Sequence, residues 1–301
     1  MIIGTDKKIA VITGATGGIG TQLCKSLVKD GYNVLALCRN SKNGTQNRVA
    51  GVEYISGRLD NYNTVSCFVE SIINTLSGGK IDILFNNAGV IAPSFKLNDN
   101  GIESSLFINC MAPIIINESL KPCFAQSCSR VVNTLSCTID ERIAKRKVRS
   151  FDFKTLTYSL YNSTDTMQLL AGFKEMTDAM GLNRENGFVS LINYSITKRL
   201  LAFYTSYLFK EYLSGSRNVM ALGADPGVVN TGIITQHRWY DPLANIFFRP
   251  FIKSPEKGSI PLYRAATESV KEQQAFCRNS AGSADALIIF KGKDKIYLKR
   301  L

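Results

Sequence analysis

Histidine and paired cysteines are scarce in this chain. It has one histidine, His237, and eight cysteines without a CxxC pair. Zinc sites draw several such ligands from short spacings, so no metal site is expected and His237 is given no chemical role. The scattered cysteines are typical of reduced thiols. A bridge between Cys123 and Cys128 is the alternative, although their spacing matches no common redox motif.

Long apolar runs are also missing. No window reaches the roughly 18 to 20 uninterrupted apolar residues of a membrane-spanning helix. The N-terminal residues pass through Lys7 and Lys8 into an apolar run that is too short for an export signal. We therefore expect a cytoplasmic protein. Its 301 residues, 45% hydrophobic and 20% charged, fit one globular domain, 1–301.

Acidic residues are outnumbered by basic ones. The 36 lysines and arginines against 24 aspartates and glutamates give a net charge of +12. Such a charge suits nucleic acid, an anionic membrane or a phosphorylated cofactor. The densest basic runs, at 142–149 and 291–300, lack interleaved aromatic residues and are interpreted as solvated faces. No nucleic-acid partner is expected.

Short apolar runs alternate with helical periodicity along the chain. The pattern predicts an α/β fold, a doubly wound parallel sheet of the Rossmann type, in which ligands bind at the carboxyl ends of the strands. The six predicted strands lie at Ile9–Thr13, Val34–Leu37, Glu53–Ile55, Ile81–Phe85, Val131–Val132 and Val219–Leu222.

A glycine-rich turn joins the first strand to the first helix. Such a turn lets the backbone approach a pyrophosphate at a helix N-terminus, and the alternative is a purely structural tight turn. The candidate cofactor-binding positions here are Thr13, Gly14, Thr16, Gly18, Ile19 and Gly20.

The second predicted strand is followed by Arg39, where an NAD-binding protein normally has an acid. An arginine there can hold a 2′-phosphate, which predicts NADP(H) as the cofactor; the alternative is a surface arginine.

Four ordered motifs carry a family resemblance. TGATGGIG at 13–20, NNAG at 86–89, YSITK at 194–198 and PGVVNT at 226–231 resemble the short-chain dehydrogenase/reductase family, nearest its carbonyl reductase and retinol dehydrogenase branches. The resemblance implies a catalytic set of Asn109, Ser136, Tyr194 and Lys198. It also implies cofactor contacts from Asp60, Asn86, Ala88 and Gly89 on the adenosine side, from Pro226, Val229 and Thr231 on the nicotinamide side, and from Gly227, Tyr194 and Lys198.

Tyr194 and Lys198 are four positions apart, so on a helix they share one face. A lysine ammonium and an oxidised nicotinamide both favour the phenolate, and we expect a depressed pKa for Tyr194. Ser136 is expected to hydrogen-bond the substrate oxygen, and Asn109 to hold a water that relays protons through Lys198.

An insertion of about fifty residues, 140–190, precedes Tyr194. A helix is predicted within it, capped by Thr164 or Asp165, with Leu169, Phe173, Met176 and Met180 on one face and Gly181 at its end. A similar insertion in monomeric carbonyl reductases of the family covers the face that relatives use to oligomerise. The resemblance therefore predicts a monomer; the alternative is an extension of the substrate pocket.

The segment 232–258 occupies the place of the family's substrate-binding loop. Its part from 239 to 252 is strongly apolar with a basic rim, which indicates a lid over a hydrophobic substrate. Core packing and peripheral membrane contact are the alternatives.

These observations predict an NADP(H)-dependent oxidoreductase that interconverts a hydrophobic ketone or aldehyde and its alcohol. A non-catalytic NADP(H)-binding sensor or scaffold and a double-bond reductase on the same fold are the alternative interpretations.

Overall fold

The computed structural model describes residues 7–39, 47–125, 128–148, 166–214, 219–230, 252–268, 286–291 and 295–300. Within these ranges the chain forms a single sheet with helices packed on it. The strands are β1 (Ile9–Ile12), β2 (Asn33–Cys38), β3 (Val52–Ser56), β4 (Ile81–Asn86), β5 (Ser129–Thr134), β6 (Val219–Asp225), β7 (Ala286–Lys291) and β8 (Lys295–Arg300).

The helices alternate with the strands. They are α1 (Gly18–Lys29), α2 (Tyr62–Leu76), α3, α4 (Arg142–Lys147), α5 (Thr166–Ala179), α6 (Ser190–Ser214) and α7 (Pro255–Thr267). Helix α3 is a continuous helical run in three parts: Ser104–Leu106, a π-helical turn at Phe107–Met111, and Ala112–Leu120. Short 3₁₀ turns cover Lys121–Cys123 and Cys137–Asp140.

The sheet has the order β3-β2-β1-β4-β5-β6-β7-β8. Strands β1 to β7 pair in parallel, and β8 joins the edge antiparallel to β7. The strand order reverses between β1 and β4, and a doubly wound sheet binds ligands at such a switch point. The predicted fold class is confirmed. All six predicted strands are present; the first is one residue shorter than predicted, and the other five are longer.

Two strands were not predicted. The basic run 291–300 contains strand β8, which pairs along its whole length with β7; its interpretation as a solvated face stays a prediction. Within β7, Ile288, Ile289 and Phe290 are buried. The signal for β7 was this short apolar run, which by periodicity alone is ambiguous between a strand and a buried helix segment.

The insertion contains the predicted helix, α5, whose Leu169 and Phe173 are fully buried. Gly181, with φ of +67°, lies just beyond the end of the helix, as expected for a helix-terminating glycine. The proposed caps Thr164 and Asp165 lie outside the described residues. A monomeric state stays a prediction.

Most of the predicted lid, 232–251, and Thr231 lie outside the described residues as well. The last part of the predicted lid segment is helical, because α7 begins at Pro255 with Ser254 as its N-cap. Among the described helices none is both long and apolar enough to cross a bilayer. Cys123 and Cys128 are both free thiols, so the alternative of a bridge between them was wrong.

Helix α1 packs closely against the glycine-rich turn that precedes it. A Cβ added to Gly20 would lie 2.2 Å from the carbonyl oxygen of Gly14 and 2.7 Å from Cα of Ala15. Those contacts are with backbone atoms that cannot rotate away, so only glycine allows this close approach.

We expect Gly20→Ala to lower the free energy of unfolding by about 1 to 3 kcal/mol, because the added methyl group forces the turn away from the helix. Urea unfolding measures the loss. Lys25→Ala, at an exposed position of the same helix, is the matched control and should change stability by less than about 0.5 kcal/mol. Equal stability of Gly20→Ala and wild type would contradict the described packing.

Candidate active site

The glycine-rich turn presents the N-terminus of α1 at the carboxyl end of β1. Gly17 is the N-cap, and no side chain caps this helix end. The first N–H groups of a helix lack partners within it, so they form a ready site for phosphate oxygens. Thr16, Gly18 and Ile19 are all partly exposed around this end.

Thr13 joins this turn to the neighbouring Asn-Asn-Ala-Gly turn after β4. Its Oγ1 accepts hydrogen bonds from the backbone N–H groups of Asn87 and Ala88, both at 3.1 Å. Gly14 adopts φ of +66°, and a Cβ there would lie 2.9 Å from Cα of Ala88. The two turns are therefore fixed side by side at the switch point of the sheet.

Asn86, which is predicted to contact the adenosine side of the cofactor, lies at the end of β4. It is buried, and its Nδ2 donates to Oδ1 of Asn133 on β5 at 2.8 Å. Asn133 in turn donates to Oγ1 of Thr205 on α6 at 2.8 Å. The Asn86 side chain thus links the strands beneath the cleft rather than lining an open surface.

Arg39 directly follows β2 and is exposed. A second arginine, Arg48, was missed by the sequence analysis. Its guanidinium lies 3.7 Å from Sγ of Cys38 and 4.9 Å from the centroid of the Tyr54 ring. Arg48 could not be predicted to lie beside the end of β2, because it is ten positions beyond Cys38 and no sequence motif links the two residues.

Asp60 lies beyond the end of β3, and its carboxylate accepts hydrogen bonds from residues close to it in sequence. Oδ2 accepts from Nε of Arg58 at 2.7 Å, and Oδ1 accepts from Oγ1 of Thr64 at 3.1 Å. Although burial by itself would raise the pKa of Asp60, these hydrogen bonds outweigh it, and the pKa is lowered from its ordinary value.

Asn109 lies on the π-helical turn within α3. Its side-chain amide forms two hydrogen bonds with Val90, one to the carbonyl and one from the N–H, both at 2.8 Å, and a third to Oγ1 of Thr197 at 3.0 Å. Asn109 therefore fixes the chain after Gly89 against helix α6. π-Helical turns are frequent at functional sites. Its predicted role in holding a water stays a prediction.

Ser136 follows β5 and caps a 3₁₀ turn. Its Oγ accepts from the N–H of Thr138 at 3.3 Å and from Oγ1 of Thr138 at 3.1 Å. The turn is fastened to helix α6, because Nη1 of Arg199 donates to the carbonyl of Ile139 at 2.9 Å. With two bonds accepted, the hydroxyl hydrogen of Ser136 remains to be donated, and Ser136 lies near enough to Tyr194 to lower the pKa of its phenol.

Tyr194 and Lys198 lie one turn apart on α6, as predicted. Nζ of Lys198 is 5.7 Å from the centroid of the Tyr194 ring and donates to the carbonyl oxygen of Thr134 at 2.8 Å. A Cβ added to Gly89 would lie 3.4 Å from this Nζ and 3.5 Å from Oδ1 of Asn109. All four residues of the predicted catalytic set therefore meet at one edge of the sheet.

The electrostatics at Tyr194 differ from the expected ones. Burial is the largest influence and raises the pKa of Tyr194 above its ordinary value, with a hydrogen bond from Ser136 lowering it and the charge of Asp225 raising it further. The protein groups around Tyr194 therefore raise its pKa instead of lowering it as expected, because burial disfavours the phenolate. These groups hold Tyr194 as a neutral phenol, the form that donates a proton.

Asp225 was missed by the sequence analysis, although it directly precedes the Pro-Gly motif. It is buried; Oδ1 accepts from the N–H of Gly227 at 2.8 Å, and Oδ2 lies 3.3 Å from Nζ of Lys291. Nζ of Lys253 donates to the carbonyl of Pro226 at 3.3 Å. Lys253 and Lys291 therefore flank a turn that contains Gly227 and the predicted nicotinamide-side residues Pro226 and Val229.

Known proteins share this arrangement in sequence and in fold. The short chain dehydrogenase family model matches residues 8–148, which include the glycine-rich turn, the Asn-Asn-Ala-Gly turn, Asn109 and Ser136. The Tyr-x-x-x-Lys pair follows on α6 in the geometry described above. The first half of the chain is therefore similar in sequence to the short chain dehydrogenase family. The Dehydrogenase/reductase SDR family member FEY of Arabidopsis thaliana is 25% identical over 273 residues, 86% of this chain and 64% of that protein. The chain thus spans less than two thirds of that relative's length.

Solved structures of family members have the same fold. The NADH complex of 3-alpha-hydroxysteroid dehydrogenase from Pseudomonas sp. matches with a TM-score of 0.62 at 18% identity, covering 89% of this chain and 92% of that one. The NADP complex of a short chain dehydrogenase from Burkholderia cenocepacia matches with a TM-score of 0.60 at 18% identity, covering 88% and 93%. The short-chain dehydrogenase/reductase fold thus extends well beyond the residues of the family model.

Burial lowers the pKa of Lys198 to about 8. Below that pH the folded protein must hold a buried ammonium, and this penalty is relieved as the pH rises toward the ordinary lysine value of about 10.4. We therefore expect the stability of wild type relative to Lys198→Met to increase between pH 7 and pH 10, by roughly 2 to 3 kcal/mol. Urea unfolding at both pH values measures the difference. The exposed control Lys25→Met should show no such trend, and a pH-independent difference for Lys198→Met would contradict the assigned burial.

Proposed function

We propose that the protein is an NADP(H)-dependent oxidoreductase that reduces a hydrophobic ketone or aldehyde to its alcohol, and reverses that reaction when the alcohol is in excess. One observation carries the proposal: the Tyr194 ring lies 5.7 Å from Nζ of Lys198, with Gly89, Asn109 and the turn of Ser136 around it, at the carboxyl edge of the sheet. A non-catalytic binding module has no chemical need for that arrangement.

The residues at this edge fit a dinucleotide. The uncapped N-terminus of α1 suits the pyrophosphate, and the glycines at 14 and 20 let the turn pack closely enough to present that helix end at the edge of the sheet. Arg39 is exposed at the end of β2, and Arg48 lies against Cys38 beside it. Two guanidinium groups at this place support recognition of a 2′-phosphate and hence NADP(H).

NADPH supplies the hydride when bound. In the reducing direction, Tyr194 donates its phenolic proton to the carbonyl oxygen of the substrate. Ser136 donates a hydrogen bond to the same oxygen and stabilises the charge that develops there. Lys198 is held by the carbonyl of Thr134, and its remaining N–H groups favour the phenolate that forms at Tyr194 after proton transfer.

The surroundings of Tyr194 support an apolar substrate. Val189 and Leu191, at the beginning of α6, are 51% and 43% exposed, although large apolar side chains usually pack inside. Phe188, just before α6, forms an edge-to-face pair with Phe95, with ring centroids 5.8 Å apart. We propose that these side chains form part of the substrate entrance, with 232–258 as a lid over it.

We expect Tyr194→Phe to lower kcat by about a hundredfold or more, because a phenylalanine cannot donate the proton, while NADPH binding stays near the wild-type value. NADPH oxidation against a panel of ketones and aldehydes measures turnover, and fluorescence titration measures binding. Tyr207→Phe, which removes a hydroxyl from the same helix, is the matched control and should keep its activity. If wild type binds NADPH and reduces no carbonyl in the panel, the non-catalytic alternative is the better one.

We expect Arg39→Asp to lower the preference for NADPH over NADH by about tenfold or more, because it replaces a cation near the 2′-phosphate by an anion. The ratio of kcat/KM for the two cofactors measures the preference. Lys29→Asp makes the same charge change at the far end of α1 and should leave that ratio near the wild-type value. An unchanged ratio in Arg39→Asp would remove the assigned role of this arginine.

A further inference from the structure

Glu103 is a fully buried carboxylate at the beginning of the helix that carries Asn109. Four hydrogen bonds from neutral donors reach it. Oε1 accepts from the N–H of Ser105 at 2.9 Å, and Oε2 accepts from the hydroxyl of Ser105 at 2.6 Å and from the N–H of Leu106 at 2.9 Å. A buried charge is stable only when such bonds replace its hydration, so the position of this carboxylate is closely determined.

The fourth bond crosses to the helix that carries Tyr194. Nδ2 of Asn193 donates to Oε2 of Glu103 at 2.6 Å and to Oγ of Ser105 at 3.2 Å. Asn193 is itself buried and directly precedes Tyr194. The beginning of α3 and the first turns of α6 are therefore joined by a charge-assisted hydrogen bond one residue away from Tyr194.

The insertion is joined to the same carboxylate residue. The backbone N–H of Glu103 donates to Oδ1 of Asn183 at 2.9 Å, and Nδ2 of Asn183 donates to Oγ1 of Thr177 and to Oδ1 of Asp178, both at 2.8 Å. Thr177 and Asp178 lie on α5. Every hydrogen-bonding atom of the Asn183 amide thus has a partner that ties α5 to the beginning of α3.

We propose that Glu103 is a positioning residue that acts through Asn193: it holds the first turns of α6 so that the phenol of Tyr194 stays aligned with Ser136 and Lys198. Asn183 extends the same control to the insertion helix. The proposal rests on the proposed function for its catalytic consequence, since misalignment by about 1 Å can slow a reaction by two orders of magnitude.

The chain contains a matched contact between the same two helices, away from the site. Oη of Tyr204 on α6 donates to Oε1 of Glu118 on α3 at 2.8 Å, and Nδ2 of Asn117 donates to Oη of Tyr204 at 2.8 Å. This contact also joins a carboxylate of α3 to a side chain of α6, but it lies ten residues beyond Tyr194 along the helix. Its loss should weaken helix packing without moving the phenol.

We expect Asn193→Leu, which keeps the approximate side-chain size and leaves the other bonds of Glu103 in place, to lower kcat by about tenfold or more with the NADPH dissociation constant unchanged. Tyr204→Phe should destabilise the protein to a similar degree and keep kcat within about twofold of wild type. Equal losses of kcat in the two variants, or no loss in Asn193→Leu, would overturn the proposal.

An exchange of carboxylate and amide gives a second test. Asn193→Asp places two carboxylates in contact, and Glu103→Gln leaves one N–H without an acceptor. The double variant restores a donor opposite an acceptor between the helices, although the amide group no longer accepts from the N–H of Leu106. We expect the double variant to recover at least part of the kcat lost in Asn193→Asp. A double variant that is no more active than the worse single variant would contradict coupling between these two residues.

A readout without turnover separates this proposal from the proposed function. In protein labelled with ¹³C-tyrosine, the ring resonance of Tyr194 is the one that disappears in Tyr194→Phe. We expect Asn193→Leu to shift or broaden that resonance, and Tyr204→Phe to leave it at its wild-type position. If wild type reduces no carbonyl but the resonance responds in this way, the positioning role stands and the proposed function fails. A resonance that is unchanged in Asn193→Leu would overturn the positioning role itself.

Discussion

The hydrogen bond from Lys198 to the carbonyl oxygen of Thr134 is the interaction on which the site depends. It brings the ammonium at the middle of a 25-residue helix to the last residue of a buried strand, and Ser136 follows two residues later. Because both ends of this contact are buried, the helix cannot slide along the sheet without leaving a charge unpaired. The proximity of Ser136, Tyr194 and Lys198 follows from it.

Much of the fold could be predicted because the strands that were recognised are short apolar runs between glycine-rich or polar turns. Strand β8 could not be predicted, because Lys295, Lys299 and Arg300 make its sequence resemble a basic surface run rather than an apolar strand. At the site, motifs with fixed local spacing were enough to predict the four residues of the catalytic set, which the structure brings together. The contact of Asn86 with Asn133 and those of Glu103, Arg48 and Asp225 could not be predicted, because each joins residues that no sequence motif brings together.

The pKa of Tyr194 differs between the prediction from helical spacing and the folded structure. Helical spacing alone places an ammonium beside a phenol and indicates an easily formed phenolate. In the structure, burial dominates and raises the pKa of Tyr194, while it lowers the pKa of Lys198 to about 8. Both shifts favour the neutral form of each group. Tyr194 therefore keeps its phenolic proton until a substrate oxygen accepts it.

The outermost strand has a consequence for behaviour at high concentration. An exposed sheet edge offers backbone groups to which another chain can add, and cationic residues on the last strand discourage this by mutual repulsion. Strand β8 covers the edge of β7 and contributes Lys295, Lys299 and Arg300 within six residues. The backbone of β8 therefore occupies the pairing groups of β7, so that β7 does not itself offer an open edge to another chain.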